Sequence, residues 1–341
     1  QALLRKMVRE KCDYAIIETT SEGIKQYRHW GIYYDVSVFT NLTPEHIESH
    51  GSFEKYKQAK GKLFAALDHQ KKPTTQKTSV VNLDDQSSDY FLSFPAQHKI
   101  GFSFKDSTHV PSNIRLVKGS NITDDATGVR FQIHDKAVRL KLLGRFSAAN
   151  ALAAISVGLS QNISLETAIS ALEQMTDVPG RMQIINEGQP FKVIVDYAHE
   201  PAALEQVYQS LKSFHPRKII SVLGSQGGGR DKRKRPLLGE LAARYTDYII
   251  ITNEDPYDDD PIEIINDVAS GIKKDANKIE GQHFFKILDR EEAIDKAIRL
   301  ATSGDIVIIT GKGSEQNMVI RTGKKVPWND EAVVRRLIQK V

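Results

Sequence analysis

Short apolar runs alternate along this chain with amphipathic stretches. Tyr14-Ala-Ile-Ile-Glu18, Val36-Ser-Val-Phe-Thr-Asn41 and Ser79-Val-Val-Asn-Leu83 are each brief, apolar and bounded by polar or turn residues. That pattern predicts strands of a parallel sheet buried on both faces. Residues 53–67 between them follow a helical period. The second half repeats the scheme with Lys192-Val-Ile-Val-Asp196, Lys218-Ile-Ile-Ser-Val-Leu-Gly224, Tyr248-Ile-Ile-Ile-Thr252 and Asp305-Ile-Val-Ile-Ile-Thr310. Helical segments follow at 201–214, 235–245, 261–274 and 331–340. The alternation predicts an α/β fold with mostly parallel sheets. Residues 92–142 differ: they are polar and turn-rich, with weak alternation in Val129-Arg-Phe-Gln-Ile133 and Ala137-Val-Arg-Leu-Lys-Leu142, and predict an antiparallel excursion. Residues 144–172 are Ala-rich and helical. Asp177-Val-Pro-Gly-Arg181 punctuates the chain, giving domains at 1–177 and 178–341.

Composition narrows the function classes. The 341 residues carry 47 Lys+Arg against 43 Asp+Glu, a net +4, too balanced for a nonspecific nucleic-acid binder. A single cysteine, Cys12, excludes a disulfide framework and a Cys-rich zinc site, and suits a reducing compartment. No apolar run approaches the roughly 20 residues of a membrane helix, and Gln1-Ala-Leu-Leu-Arg5 has no signal-peptide layout. A cytoplasmic protein without membrane insertion or nucleic-acid partner is expected.

Candidate chemistry gathers at predicted strand ends, where open α/β sheets bind ligands. Glu18 ends one strand. Asn41-Leu-Thr-Pro-Glu-His46 ends another and opens a helix, with Thr43 as cap, Pro44 at the first position and His46 in the first turn. A plain cap with a surface histidine is the alternative. Lys60 shares a helix face with Tyr56, four residues earlier; it either points inward among aromatics or extends to solvent. Gly224-Ser-Gln-Gly-Gly-Gly-Arg230 lets backbone approach a ligand before a helix start. The basic run Arg230-Asp-Lys-Arg-Lys-Arg235 is either a solvated helix start or part of a carboxylate or phosphate site. Asp196-Tyr-Ala-His199, Thr252-Asn-Glu-Asp-Pro256 and Gly311-Lys-Gly-Ser-Glu315 follow other strands. If the sheet is parallel, these polar loops share one edge. Asp258-Asp-Asp260 lacks calcium-loop spacing and is expected to be a solvated turn.

These ordered motifs resemble the Mur ligase family, the ATP-dependent amide-forming enzymes of peptidoglycan synthesis, and most closely its tripeptide-forming branch. The resemblance implies most of a P-loop-type central domain followed by a Rossmann-like C-terminal domain. It also implies a reaction in which a UDP-muramoyl peptide carboxylate takes the γ-phosphate of ATP, and an amino acid's amine displaces that phosphate. ATP and Mg2+ are the implied cofactors, and a monomer is expected. By resemblance, Glu18, His46 and a carbamylated Lys60 bind the metal, with Lys60 and His46 catalytic. Thr20, Gln26 and Arg28 fall on positions that hold the muramoyl nucleotide. Asn150 in Gly144-Arg-Phe-Ser-Ala-Ala-Asn150, Arg181 in Pro179-Gly-Arg181, and Asp196 fall on ATP positions. Arg230, Gly311 and Glu315 fall on amino-acid positions, as does the selector run Glu254, Asp255, Pro256 and Tyr257.

The departures are informative. Glu22 and Ser314 stand where the family has His, Ser147 where it has Asn, and Glu200 where it has Thr or Asn. Members adding diaminopimelate carry Asp-Asn-Pro-Arg as selector; Tyr257 cannot make that arginine's bidentate carboxylate contact. A substrate with a cationic end, such as lysine or ornithine, is therefore expected, received by Glu254 or Asp255. No Gly-x-x-x-x-Gly-Lys-[Ser/Thr] loop occurs in the sequence. It is expected upstream of Gln1, so the chain alone is expected to be inactive and the intact protein active. The competing expectations are a non-catalytic binding module working with a partner subunit, and a ligase of the folylpolyglutamate or cyanophycin type.

Overall fold

The computed structural model describes residues 2–43, 50–67, 76–106 and 110–340. Two six-stranded sheets organise them. The first runs in chain order through β1 (Val36–Phe39), β2 (Thr78–Asn82), β3 (His98–Ser103), β4 (Arg115–Asp125), β5 (Gly128–Ile133) and β6 (Lys136–Leu140). β1 to β4 pair in parallel, β4 to β6 antiparallel. The antiparallel excursion therefore begins later than expected. β3 and residues 115–118 of β4 extend the parallel sheet, and β4 changes partner from Gly119 onward, with a register irregularity between Ser120 and Thr123 that bends it.

A second correction concerns residues 14–18. They belong to no strand, and Ile16 is 96% exposed. An apolar run becomes a strand only when a neighbour satisfies its backbone groups. Among the described residues, β1 pairs with β2 and no strand flanks this run.

The Ala-rich helix Phe146–Ser160 covers one face of the first sheet. Its small residues let Leu152 and Ile155 reach Val80, Ile100 and Phe131. Opposite lies an aromatic cluster: Phe39 stacks on Phe91 at 3.9 Å, beside Tyr56 and Phe64 of the helix Phe53–Ala65. Ser52 caps that helix by accepting from the Lys55 N–H.

The second sheet holds β7 (Gln183–Ile185), β8 (Lys192–Val195), β9 (Ile219–Leu223), β10 (Tyr248–Ile251), β11 (Phe284–Lys286) and β12 (Ile306–Ile309), in the order β11-β10-β9-β12-β8-β7. All but β7 are parallel. β9 and β12 are buried throughout, as apolar runs covered on both faces must be. Helices Pro201–Lys212, Lys234–Tyr245 and Pro261–Ile272 pack on one face; Arg290–Leu300 and Asp330–Ile338 pack on the other. The chain steps outward from β9 to β11, then returns to set β12 between β9 and β8. Crevices open at the carboxyl ends of strands beside such a reversal. A hairpin, β13 (Asn317–Ile320) with β14 (Lys324–Pro327), flanks it. Leu143 joins the core of the second sheet and Phe146 packs against it. No described helix is long and apolar enough to cross a membrane.

Candidate active site at the carboxyl ends of the second sheet

Because β8, β9, β10 and β12 are parallel, the loops after them emerge on one edge, as their order in sequence implied. Hydrogen bonds and ion pairs bind the loops into one surface. Asp255 accepts Lys312 Nζ at 2.8 and 2.9 Å, and its Oδ1 also accepts the Val319 N–H at 2.8 Å. Lys312 Nζ lies 2.6 Å from Glu315 Oε2. A buried ammonium is tolerable only when paired in this way. The pairing with Asp255 joins the loop after β10 to the loop after β12.

Glu254, one residue before Asp255, is 1% exposed, and both its carboxylate oxygens lack a hydrogen-bond partner. Burial pushes its carboxyl above the usual range, against the fields of Arg290, His199, Lys234 and Lys312. The side chain fits because Gly311 and Gly224 lack Cβ atoms. A Cβ on Gly311, whose φ is +105°, would fall 2.1 Å from Glu254 Oε2. The two acidic residues of the selector thus differ: Asp255 is consumed by Lys312, and Glu254 is the unsatisfied acceptor.

Around it, Pro256 is buried and Tyr257 takes a positive φ of 52°. A Cβ on Gly228 would meet the Tyr257 ring at 2.6 Å, so the ring lies against the glycine loop. Arg230, at the end of that loop, is exposed, with Nε 3.4 Å from Gln226 Oε1. The basic run is divided. Lys234 is buried against Glu200 at 2.6 Å, and Arg235 is buried between Asp259 and Asp267. The solvated-start reading fits Lys232 and Arg233 but not these two. The expected solvated turn at 258–260 is likewise partly structural, since Asp259 binds Arg235 and Asp260 caps the next helix.

The residues expected to serve ATP are spread more widely. Asp196 is buried and accepts the Met182 and Ala198 N–H groups at 2.7 Å; burial nonetheless raises its carboxyl above the usual range. Arg181 is exposed, with its guanidinium 4.5 Å from the Tyr197 ring centroid. Burial, with Glu315, Glu254 and Glu18 nearby, pushes the Tyr197 hydroxyl up to about 12, against Arg181. Gly180 packs closely on the loop after β12: a Cβ there would sit 2.2 Å from Ser314 N. Asn150 is exposed on the helix Phe146–Ser160.

In the first domain, Glu18 is exposed and lies outside any strand. Lys60 is half-buried, with Nζ 5.1 Å from the Tyr56 ring centroid. His46, with Pro44 of its proposed cap, lies outside the described residues. Among the described residues no group of three His, Cys, Asp or Glu side chains is arranged to hold a metal. Thr20 caps the helix Ser21–Lys25, its Oγ1 accepting the Gly23 N–H at 3.0 Å, and Gln26 and Arg28 are exposed just beyond. Sequence reasoning missed Arg290 and Asp330, a fully buried pair beneath the Glu254 loop. Their 40-residue separation carries no local signal.

Two family models match the chain: the Mur ligase middle domain over residues 1–158, and the Mur ligase, glutamate ligase domain over residues 180–313. The chain belongs to the Mur ligase family. A relative from Geobacillus kaustophilus (strain HTA426), named UDP-N-acetylmuramoyl-L-alanyl-D-glutamate--2,6-diaminopimelate ligase, is 36% identical, with 100% of this chain and 68% of the relative covered. A UDP-N-acetylmuramyl-tripeptide synthetase from Roseiflexus sp. (strain RS-1) is 37% identical, with coverage of 100% and 67%. A solved UDP-N-acetylmuramoyl-L-alanyl-D-glutamate--2,6-diaminopimelate ligase superposes with a TM-score of 0.57 at 31% identity, covering 94% of this chain and 63% of that one. An Acinetobacter baumannii UDP-N-acetylmuramoylalanyl-D-glutamyl-2,6-diaminopimelate--D-alanyl-D-alanyl ligase shares the fold, with a TM-score of 0.62 at 19% identity. This Mur ligase chain thus spans about two thirds of the length of such relatives.

Proposed function

We propose that the full-length protein is an ATP-dependent ligase that joins an amino acid with a cationic side chain to a UDP-N-acetylmuramoyl peptide in peptidoglycan synthesis. The observation that carries the reading is Glu254: a buried carboxylate without a hydrogen-bond partner, in a family whose members form peptide bonds. A buried polar group left unmade costs roughly 1–3 kcal/mol, and a substrate ammonium would recover it. Lysine, ornithine and diaminopimelate all offer that ammonium, and only diaminopimelate brings a second carboxylate. Tyr257 offers no guanidinium for the second carboxylate of diaminopimelate.

In this reading the peptide carboxylate attacks the γ-phosphorus of ATP, ADP leaves, and an acyl phosphate forms. The amine then attacks the acyl carbon, and phosphate leaves as the amide forms. Arg230 pairs with the carboxylate of the incoming amino acid. Gly311 and Glu315 border its amino group, and Pro256 and Tyr257 shape the pocket. Asn150, Arg181 and Asp196 serve ATP. Thr20, Gln26 and Arg28 hold the muramoyl nucleotide, the Thr20 hydroxyl keeping a proton to donate while it caps its helix. Magnesium, a hard cation, favours oxygen donors. Glu18 would supply one and a carbamylated Lys60 another, while His46 would add a nitrogen donor. Bound there, the ion would neutralise phosphate charge. A cytoplasmic monomer completes the proposal.

The test is ADP release by the full-length protein with ATP, Mg2+, a UDP-muramoyl dipeptide and an amino acid. The reading predicts release only when all are present. Release indifferent to the amino acid, or none, contradicts it.

A further inference from the structure

Arg290 opens the helix Arg290–Leu300, and its side chain is fully buried. Its Nε and Nη2 donate to the two carboxylate oxygens of Asp330 at 2.9 and 2.8 Å. Nη2 also donates to the Thr310 carbonyl at 2.8 Å, and Nη1 to the Asn253 carbonyl at 3.3 Å. Trp328 Nε1 donates to Asp330 Oδ1 at 2.8 Å, fixing the carboxylate that orients the fork. The two carbonyls belong to the residues immediately before Gly311 and Glu254. One planar group therefore spans the gap between the loop that holds the unsatisfied carboxylate and the loop that makes room for it.

We infer that Arg290, oriented by Asp330, is a positioning residue for capture of the amino acid: it sets the separation between Glu254 and the Gly311 loop. The inference rests on the ligase reading above. A lysine would keep the charge but not the fork, because an ammonium is a point donor that cannot bridge two carbonyls and a bidentate carboxylate together. The Arg290 charge also acts on Glu254, alongside His199, Lys234 and Lys312, while Tyr197 faces it as a neutral phenol. A plain structural pair would hold the two helix starts together and have no bearing on the amino acid.

The experiment compares Arg290→Lys and Arg290→Gln in the full-length protein. It reads kcat, the KM values for amino acid and ATP, and the pH below which the amino-acid KM climbs. Arg290→Lys is expected to raise the amino-acid KM by about tenfold through loss of positioning, leaving the ATP KM and the pH limb in place. Arg290→Gln is expected to do the same and also move the limb to higher pH, since removing a cation makes Glu254 harder to ionise. If both variants lose kcat only in proportion to lost folded protein, with wild-type amino-acid KM and limb, the inference is overturned. A wild-type protein that forms no amide overturns the ligase reading and this inference with it.

Discussion

Glu254 and Asp255 are adjacent carboxylates with opposite fates. Asp255 is held by Lys312 and a backbone N–H; Glu254 has neither. Because burial raises the Glu254 carboxyl, the folded state takes up a proton that the unfolded chain has already lost above its ordinary value of 4.5. Stability therefore falls as pH rises from that value toward the folded one, and the penalty stays constant beyond it. Glu254→Gln removes the ionisation. Thermal unfolding followed across pH 4 to 8 should show the variant matching wild type at the acid end and exceeding it by a few degrees at neutral pH. The same variant should lose most capture of the amino acid, a trade common at binding sites. A second residue-scale prediction concerns the selector: Tyr257→Arg restores a guanidinium and should move the preference toward diaminopimelate, read as a ratio of kcat/KM values. At this scale the sequence was legible wherever a motif is local, as in Asp196-Tyr-Ala-His199. It was silent on the choice between Glu254 and Asp255, because that choice depends on Lys312, 57 residues away from Asp255.

The elements that hold these residues depend on close backbone approaches. Helices Lys234–Tyr245 and Pro261–Ile272 cross where Gly239 and Gly271 face each other's backbones: a Cβ on Gly271 would fall 1.9 Å from the Pro236 carbonyl oxygen. Gly271→Ala should destabilise the domain by about 1–3 kcal/mol, the usual cost of overpacking, visible as a lower Tm. Gly180→Ala, with a positive φ and a Cβ 2.2 Å from Ser314 N, should instead loosen the contact between the Arg181 segment and the loop after β12. Its expected signature is a raised ATP KM together with a lower Tm. Most strands of the second sheet were legible as uninterrupted apolar runs. Helix Arg290–Leu300 was not, since Ala293, Ile294, Ala297 and Ile298 sit among charged residues. The three-residue β7 and β11 are too short to show a period. Residues 14–18 misled in the other direction: composition favoured a strand, but strand formation is a property of a pair.

A few contacts tie the two halves of the molecule together. Glu18 acts on Tyr197, Ser213 reaches Asp124 at 3.1 Å, and Leu143 enters the second core. That arrangement suits a reaction in which phosphoryl transfer and amine attack occur at adjoining surfaces. Selection of a cationic amino acid at the edge bearing Glu254 is tested by giving the full-length protein ATP, Mg2+, a UDP-muramoyl dipeptide and an equimolar mixture of lysine, ornithine and diaminopimelate, and reading the product by mass spectrometry. A tripeptide carrying lysine or ornithine is expected; a diaminopimelate product, or no tripeptide at all, rules that selection out.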